Sequence, residues 1–282
     1  MLHRRHALGI LAAGGATLAL PAWTHASAQD GTGWRPLWDG RSLDGWTFWQ
    51  DGVGAVDTMG VVSIRDGELH FHGDGYAHDT APPGFIATVA DHGNYHLRLQ
   101  YRWGERRWAP RGWLARNSGL LYHLGPQRPG LLFPEGIEFQ MQEGNCGDAM
   151  LIDALGVQGP PLGGTPMWPN WIPAFSDVPI EPTRFGGYAR RWLPRLTDFE
   201  RPGEWNTLDL VCFDDQAAHM VNGRIVNTLF KLARELPDGT RQPLTAGRIA
   251  LEFEWAQIAF RQVMIRDLDQ AAIATIRRQG SD

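Results

Sequence analysis

The sequence predicts an all-β protein, an antiparallel two-sheet β-sandwich with a long irregular loop over one face. Short segments alternate apolar and polar residues with a period of two, which is typical of half-buried strands. Turn dipeptides separate these segments, and the 282 residues include 34 glycines and 19 prolines. Few stretches favour a helix, so the pattern predicts one large sandwich domain.

The amino terminus has the features of an export signal over residues 1–28. Arg4-Arg5 precedes an apolar run at 7–20, and Ala26-Ser27-Ala28 resembles a cleavage site. The two arginines favour the twin-arginine route, and the alternative is an ordinary secretory signal that happens to contain them. The prediction is therefore a single mature domain at 29–282, periplasmic or secreted, with no integral membrane segment after signal cleavage.

Charge and cysteine content exclude several classes of protein. The formal net charge is −5 and the basic residues are scattered, so nucleic acid is not expected as a partner. The two cysteines, Cys146 and Cys212, either pair in an oxidising compartment or are small buried residues. Neither belongs to a C-x-x-C or His/Cys cluster, so the sequence does not support a structural zinc site.

Strands begin soon after the signal. Asp-Gly turns at 39–40 and 44–45 lie between aromatic-rich pieces near the start of the mature chain. A third Asp-Gly pair, at 66–67, lies between alternating segments at 61–65 and 68–72. This arrangement predicts a β-hairpin.

The middle of the chain contains strands and then a long irregular segment. Alternation predicts a strand at 95–103, and shorter strands follow at 117–125, 137–142 and 150–152. From about 157 to 203 the strand pattern disappears, and Pro, Gly, Trp and Arg dominate. Long loops inside a compact domain often have a binding or lid function, so this segment is predicted to cover one face.

Strands resume in the last third of the chain. Segments at 204–213 and 217–230 form a predicted hairpin region with Asn222-Gly223 as a turn, and two closing strands follow within 247–268. Helix is predicted only at 232–235 and 270–278.

The strand Gly136–Gln142 has an unusual polar face. Alternation puts Glu138, Gln140 and Gln142 on one side, where they could line a sugar-binding groove. Glu143 falls on the opposite side unless a bulge turns it inward. Glucanases of the laminarinase and lichenase type have a similar Glu-x-Asp-x-x-Glu strand, but Gln140 replaces the central acid here. Cleavage by two carboxylates on this strand is therefore not expected.

Five segments together resemble the 3-keto-disaccharide hydrolase domain family, which has a jelly-roll, concanavalin A-like lectin/glucanase sandwich. The segments occur in the family's order and extend over nearly the whole mature chain. They are LWDGRSLDGW at 37–46, NSGLLYH at 117–123, IEFQMQEGNCGD at 137–148, the hairpin region at 203–227 and the closing strands at 243–268.

The resemblance implies cleavage of glycosides that already carry a ketone at sugar carbon 3. The ketone acidifies the hydrogen at C2, so that a base can remove it and the substituent at C1 leaves. Water then adds to the double bond. This path needs one base and stabilisation of an enolate, and it does not need paired carboxylates. One departure is that the family's Glu-Gly-Ala-Glu motif reads Glu254-Trp255-Ala256-Gln257 here, without the second acid.

Within the matching segments, Glu138 and His123 are the predicted catalytic residues, since each could act as the base. No cofactor is required by the pattern, but a divalent metal could act as a Lewis acid if Glu138, His123 and a third ligand converge. Glu143 is a secondary candidate. The predicted substrate-binding residues are Arg116, Asn117, Gln140, Gln142, Glu254, Trp168 and Trp171.

The sequence thus predicts a hydrolase or lyase that acts on 3-keto-glycosides, with a small oligosaccharide or glycoside as its partner. The alternative is a non-catalytic, lectin-like carbohydrate-binding module, since this fold serves many lectins. A third reading is a structural protein of the cell envelope. Turnover at substoichiometric protein concentration distinguishes the first reading from the other two.

Overall fold

The computed structural model describes residues 33–159 and 188–279, and three short strands at 161–162, 165–166 and 183–185. The predicted signal at 1–28 lies outside the described residues. In the described part, two antiparallel sheets pack against each other, which confirms the predicted sandwich. No helix among the described residues is long and apolar enough to span a membrane.

The larger sheet has ten strands. Its main path, in spatial order, is β11 (Ala154–Gln158), β18 (Arg224–Glu235), β17 (Gln216–Val221), β16 (Asn206–Phe213), β7 (Tyr95–Arg107), β21 (Ala256–Asp267), β4 (Glu68–Phe71) and β3 (Val62–Arg65). Two short strands pair beside this path, β1 (Arg35–Pro36) with β21 and β19 (Arg241–Pro243) with β18.

The smaller sheet has nine strands. In spatial order they are β14 (Thr183–Phe185), β15 (Tyr188–Leu193), β10 (Ala149–Ile152), β9 (Gly136–Gln140), β8 (Gly119–Leu124), β20 (Ala246–Phe253), β5 (Gly84–Thr88) and β2 (Trp46–Gln50), with β6 (His92–Gly93) pairing β20. A separate two-stranded sheet joins β12 (Pro161–Leu162) to β13 (Thr165–Pro166).

The main core lies between the two large sheets. Ile137 and Phe139 of β9 enter it from one side, and Leu97 and Leu99 of β7 enter it from the other. Because side chains alternate along a strand, the intervening Glu138 and Gln140 point to the outer face of the nine-stranded sheet. The predicted alternation of this strand is therefore confirmed, and it decides which residues can form an outer site.

Each large sheet is also partly covered on its outer face. The helix α1 (Gln270–Gln279) confirms the predicted carboxy-terminal helix, and its Ile273 packs on Val211 and Phe213 of the ten-stranded sheet. On the nine-stranded sheet, Phe133 joins a second apolar cluster with residues of β5, β8, β10 and β20. Glu138 lies on the same face beside this cluster, since it pairs with Leu121 and Met150, which both belong to it.

The turn chemistry follows the sequence closely. Asp66 and Gly67, between β3 and β4, have φ angles of 53° and 77°, and Asn222 and Gly223, between β17 and β18, have 49° and 78°. Two successive left-handed residues are what a tight hairpin turn requires, so both predicted hairpin turns are confirmed. In contrast, the helix predicted at 232–235 is wrong, because these residues end β18 and pair with β11 and β19.

The structure also refines two other expectations. Within the predicted loop at 157–203, β14 and β15 extend the nine-stranded sheet beside β10. Leu193 enters the core there, while Trp192 faces outward. Both Cys146 and Cys212 are free and buried. The two cysteines are therefore small buried residues and do not pair, which decides between the two alternatives.

Three buried histidines make stability sensitive to acid. Burial lowers the pKa of His72, His123 and His219 to about 4 from 6.5. Because the folded pKa is depressed, the unfolded chain binds more protons between these values. The contribution to stability is therefore complete above about pH 6.5 and is lost as the pH falls towards 4.

We expect urea unfolding at pH 5 to give a lower free energy of unfolding than at pH 7, by up to about 1.4 kcal/mol per pH unit for each histidine. The side-chain nitrogens of His123 have no hydrogen-bond partner among the described residues. His123→Leu should therefore fold and show a shallower pH dependence. Equal slopes for both proteins would contradict the assignment.

Candidate functional site

A glycine in β8 creates room for two acids on the outer face of the nine-stranded sheet. Strand β8 lies between β20 and β9, and Gly119 pairs with Gln140. A Cβ atom on Gly119 would lie 2.5 Å from Oε2 of Glu252 and 2.9 Å from Oε1 of Glu138. The two carboxyl groups therefore occupy the space above this glycine, one from each neighbouring strand.

Glu252 is the residue that the sequence analysis missed. It alternates with the core residues Leu251 and Phe253, which is the same pattern that identified Glu138. That alternation was visible in the sequence, but the partner strand was not. Glu252 is fully buried and Glu138 is 6 % exposed, so this carboxyl pair lies in an environment largely shielded from water.

A second polar contact lies in the next row of the sheet. Asn117 and Glu254 form an isolated bridge between their backbones, and Nδ2 of Asn117 donates a hydrogen bond to Oε2 of Glu254. Both side chains are buried. The structure thus brings two predicted substrate-binding residues together beside Gly119, with Glu254 two residues from Glu252 on the same side of the chain.

The carboxamide of Gln140 is partly used by the turn that follows β9. Its Oε1 accepts hydrogen bonds from the backbone N–H groups of Met141 (3.0 Å) and Gln142 (3.2 Å). The Nε2 group therefore remains the donor that Gln140 could offer to a ligand. Gln142 is half-buried and lies in the turn beyond the strand.

Glu143 and Arg116 form an ion pair with each other. A guanidinium N–H of Arg116 donates to Oε1 of Glu143, its backbone N–H donates to Oε2 at 2.9 Å, and Arg107 lies 3.5 Å away. Burial would raise the pKa of Glu143, but the hydrogen bonds from Arg116 outweigh it and lower the pKa. This pair fixes the loop before β8 to the turn after β9, which gives both residues a structural role.

His123 lies on the opposite side of the sheet from Glu138, which corrects the expectation that the two converge. His123 has φ of 52° at an irregularity in the pairing of β8 with β20, and this turns its side chain inward. Its ring lies 6.4 Å from Tyr95 of the other sheet and 5.2 Å from Tyr122. A fully buried histidine between the sheets cannot reach a ligand on the outer face.

The predicted metal pair of Glu138 and His123 is therefore not formed. Among the described residues, no group of three or more His, Cys, Asp or Glu side chains could hold a metal ion. Trp168 and Trp171, predicted to bind sugar, lie outside the described residues.

The fold is a β-sandwich of the concanavalin A-like type, and the family that the chain matches supports a carbohydrate-active function. The model of the 3-keto-alpha-glucoside-1,2-lyase-like domain family matches residues 33–266, and the chain belongs to this family. This membership confirms the resemblance that the five sequence segments indicated. No curated protein matches the chain significantly.

Solved structures similar to this chain include two candidate glycosyl hydrolases from Parabacteroides distasonis ATCC 8503. The first has a TM-score of 0.51 at 19 % identity, covering 87 % of this chain and 99 % of that one. The second has a TM-score of 0.48 at 19 % identity, covering 83 % and 99 %. A Bacillus licheniformis β-glucanase has a TM-score of 0.45 at 10 % identity, covering 84 % and 97 %. The first of these likenesses shows the fold alone.

Proposed function

We propose that this protein cleaves glycosides that carry a ketone at C3, by elimination across C1 and C2 followed by addition of water. The observation that carries the proposal is the carboxyl pair of Glu138 and Glu252 above Gly119, in a chain of this family. The family and the fold support a carbohydrate-active function, and the chemistry of a C3 ketone suits this pair.

In the proposed reaction, the Glu138 carboxylate takes the proton from C2 of the sugar. The electron pair of the C2–H bond moves into an enolate whose charge lies on the C3 oxygen. When the enolate collapses, the C1=C2 double bond forms, the C1–O bond breaks, and Glu138 returns the proton to the departing oxygen. Such proton transfer by a positioned group is general acid–base catalysis.

Glu252, in its protonated form, would donate a hydrogen bond to the C3 oxygen as negative charge develops there. A donor that is already positioned in a site shielded from water stabilises such charge far more than one in bulk solvent. Nε2 of Gln140 is a further donor in the same row as Gly119. Addition of water across C1=C2 then gives the free 3-keto-sugar.

The pair also changes the argument made from the sequence. Strand β9 by itself does not carry two acids on its outer face. The two strands that flank β8 each supply one, and the two carboxyl groups meet at Gly119. A carboxyl pair could instead hydrolyse an ordinary glycoside. The family favours the keto substrate, and the two activities differ in whether the C3 ketone is required. The signal predicted at 1–28 would place either reaction in the periplasm or outside the cell.

The test is incubation of the purified mature chain with 3-keto-glucosides and with the matching unoxidised glucosides, each with and without a chelator. We expect only the keto compounds to be cleaved at substoichiometric protein concentration. An unsaturated ketone should appear before the free sugar and should absorb in the near ultraviolet. Equal cleavage of the unoxidised compounds would refute the elimination, and sugar binding without products would favour the lectin-like alternative.

Gly119→Ala offers a separate probe of the site. The three atoms nearest to the added methyl group belong to the carboxyl groups of Glu252 and Glu138, so it should displace these groups and leave the backbone in place. Because displacements of about 1 Å can reduce rates about 10²-fold, we expect a loss of that order with little change in stability.

Gly84→Ala is the matched control for this substitution. Its Cβ would meet the Gln50 Cα at 2.8 Å and the backbone oxygen of Trp49, neither of which can move cheaply. This variant should lose stability in thermal unfolding. Full activity of Gly119→Ala would show that the site does not depend on the positions of the two carboxyl groups.

A further inference from the structure

Trp192 lies on the same outer face as Glu138, two strands away. Met150 of β10 pairs with Glu138 of β9 on one side and with Trp192 of β15 on the other. Adjacent strands are about 4.8 Å apart, so the two backbone positions are separated by roughly 9–10 Å. Met150 lies between them, is 6 % exposed and belongs to the apolar cluster that contains Phe133.

The indole of Trp192 lies beside a buried carboxyl group and is accessible. Burial raises the pKa of Asp148 and the nearby indole N–H of Trp192 opposes this, so the ring lies next to that carboxyl group. Asp148 in turn accepts a hydrogen bond from the backbone N–H of Arg195 at 2.7 Å. Trp192 is 40 % exposed, and Trp113 is the other exposed tryptophan in the described part of the chain. A tryptophan side chain has only two rotatable bonds, so it loses little conformational entropy when a ligand stacks on it.

The order of Trp192, Glu138 and Glu252 across the sheet matches the order of the leaving group, C2 and the C3 oxygen in the substrate. Trp192 comes first, Glu138 lies in the middle, and Glu252 lies beyond Gly119 on the far side. If Glu138 acts at C2 and on the departing oxygen while Glu252 meets the C3 oxygen, the group attached to C1 extends towards Met150 and Trp192. An aromatic face suits the apolar face of a ring in that position.

We propose that Trp192 is a stacking platform for the leaving group, so that the preferred substrates are 3-keto-glycosides whose leaving group is itself a ring. This inference rests on the proposed function. The ring is a second sugar or an aromatic alcohol, since both present a flat face of C–H or π character. Trp192 determines which leaving groups are preferred, and the carboxyl pair carries out the chemical step.

The test compares three substrates with the mature chain and its Trp192→Ala and Trp192→Phe variants. The substrates are a 3-keto-disaccharide, phenyl 3-keto-glucoside and methyl 3-keto-glucoside. The quantity measured is the specificity ratio, which is kcat/KM for a ring-bearing compound divided by kcat/KM for the methyl compound. For Trp192→Ala we expect this ratio to fall about tenfold, chiefly because KM for the ring-bearing compounds rises. Trp192→Phe should keep most of the ratio, because it retains an aromatic face.

Trp205→Ala is the control variant. Trp205 lies on the ten-stranded sheet, where Arg102 and Arg261 stack on it at 4.7 Å and 4.0 Å, so its loss should leave the ratio unchanged. Comparison of the disaccharide with the phenyl compound distinguishes a sugar ring from an aromatic ring. A ratio that stays constant in Trp192→Ala would overturn the platform while leaving the proposed cleavage intact.

A binding measurement separates this inference from the proposed function. If the wild-type chain cleaves none of the three compounds, the proposed function fails. Calorimetric titration of the wild-type chain and Trp192→Ala with a plain, unoxidised disaccharide still tests the stacking surface. An affinity about tenfold weaker in the variant would support it, and equal affinities would overturn it.

Discussion

Glu138→Gln is expected to lower kcat for 3-keto-glycosides about 10²- to 10⁴-fold, the range by which a positioned general base accelerates a reaction. Glutamine has nearly the shape of glutamate but cannot accept the C2 proton. The side chain lies on the outer face of β9, away from the core residues Ile137 and Phe139. The variant should therefore fold with a thermal midpoint close to that of the wild type.

A purely structural role for Glu138 can be distinguished by isotopes. Wild-type cleavage of a substrate deuterated at C2 should be slower than cleavage of the protonated substrate, if proton removal limits the rate. In Glu138→Gln, exchange of the C2 hydrogen with solvent deuterium should also disappear. Exchange at the wild-type rate in a folded Glu138→Gln variant would assign the base to another residue.

Glu252→Ala is expected to lower kcat about 10²- to 10³-fold, which is the usual cost of removing one donor to a developing oxyanion. The expected behaviour of Glu252→Gln is different. Its amide can still donate a hydrogen bond to the C3 oxygen, so this variant should recover part of the lost rate. Glutamine in place of Glu138 should give no such recovery, and this contrast separates a proton acceptor from a hydrogen-bond donor.

The measurement for Glu252 is kcat and KM for both variants, together with thermal unfolding. Because Glu252 is fully buried, the alanine variant leaves a cavity and should be less stable, so activity must be compared below the unfolding transition. Equal activity in Glu252→Ala, Glu252→Gln and the wild type would remove Glu252 from the mechanism. Equal losses in the two variants would instead indicate that its ionised carboxylate is required.

The parts of the fold that the sequence predicted are those governed by neighbouring residues. Alternation placed Phe139 in the core and Glu138 outside it, and the dipeptides Asp66-Gly67 and Asn222-Gly223 formed the expected hairpin turns. The helix expected at 232–235 failed because its residues have helical propensity but pair on both sides in the sheet. Tertiary pairing readily overrides such a weak local preference.

The composition of the site depended on contacts between distant segments. Gly119, Glu138 and Glu252 meet because β8 lies between β9 and β20, and nothing local to any of them specifies this order. His123 illustrates the same limit. One irregular residue in the pairing of β8 turned it inward and separated it from Glu138, since alternation reverses at a bulge.

By itself the sequence determined the all-β class, the family resemblance and the polar outer face of the strand Gly136–Gln140, because period-two alternation and turn residues act over a few positions. Only the tertiary structure decided which acid accompanies Glu138, that Glu143 is held by Arg116, and that Trp192 shares the outer face. Those outcomes depend on strand order and register, which are set by the packing of the whole sandwich.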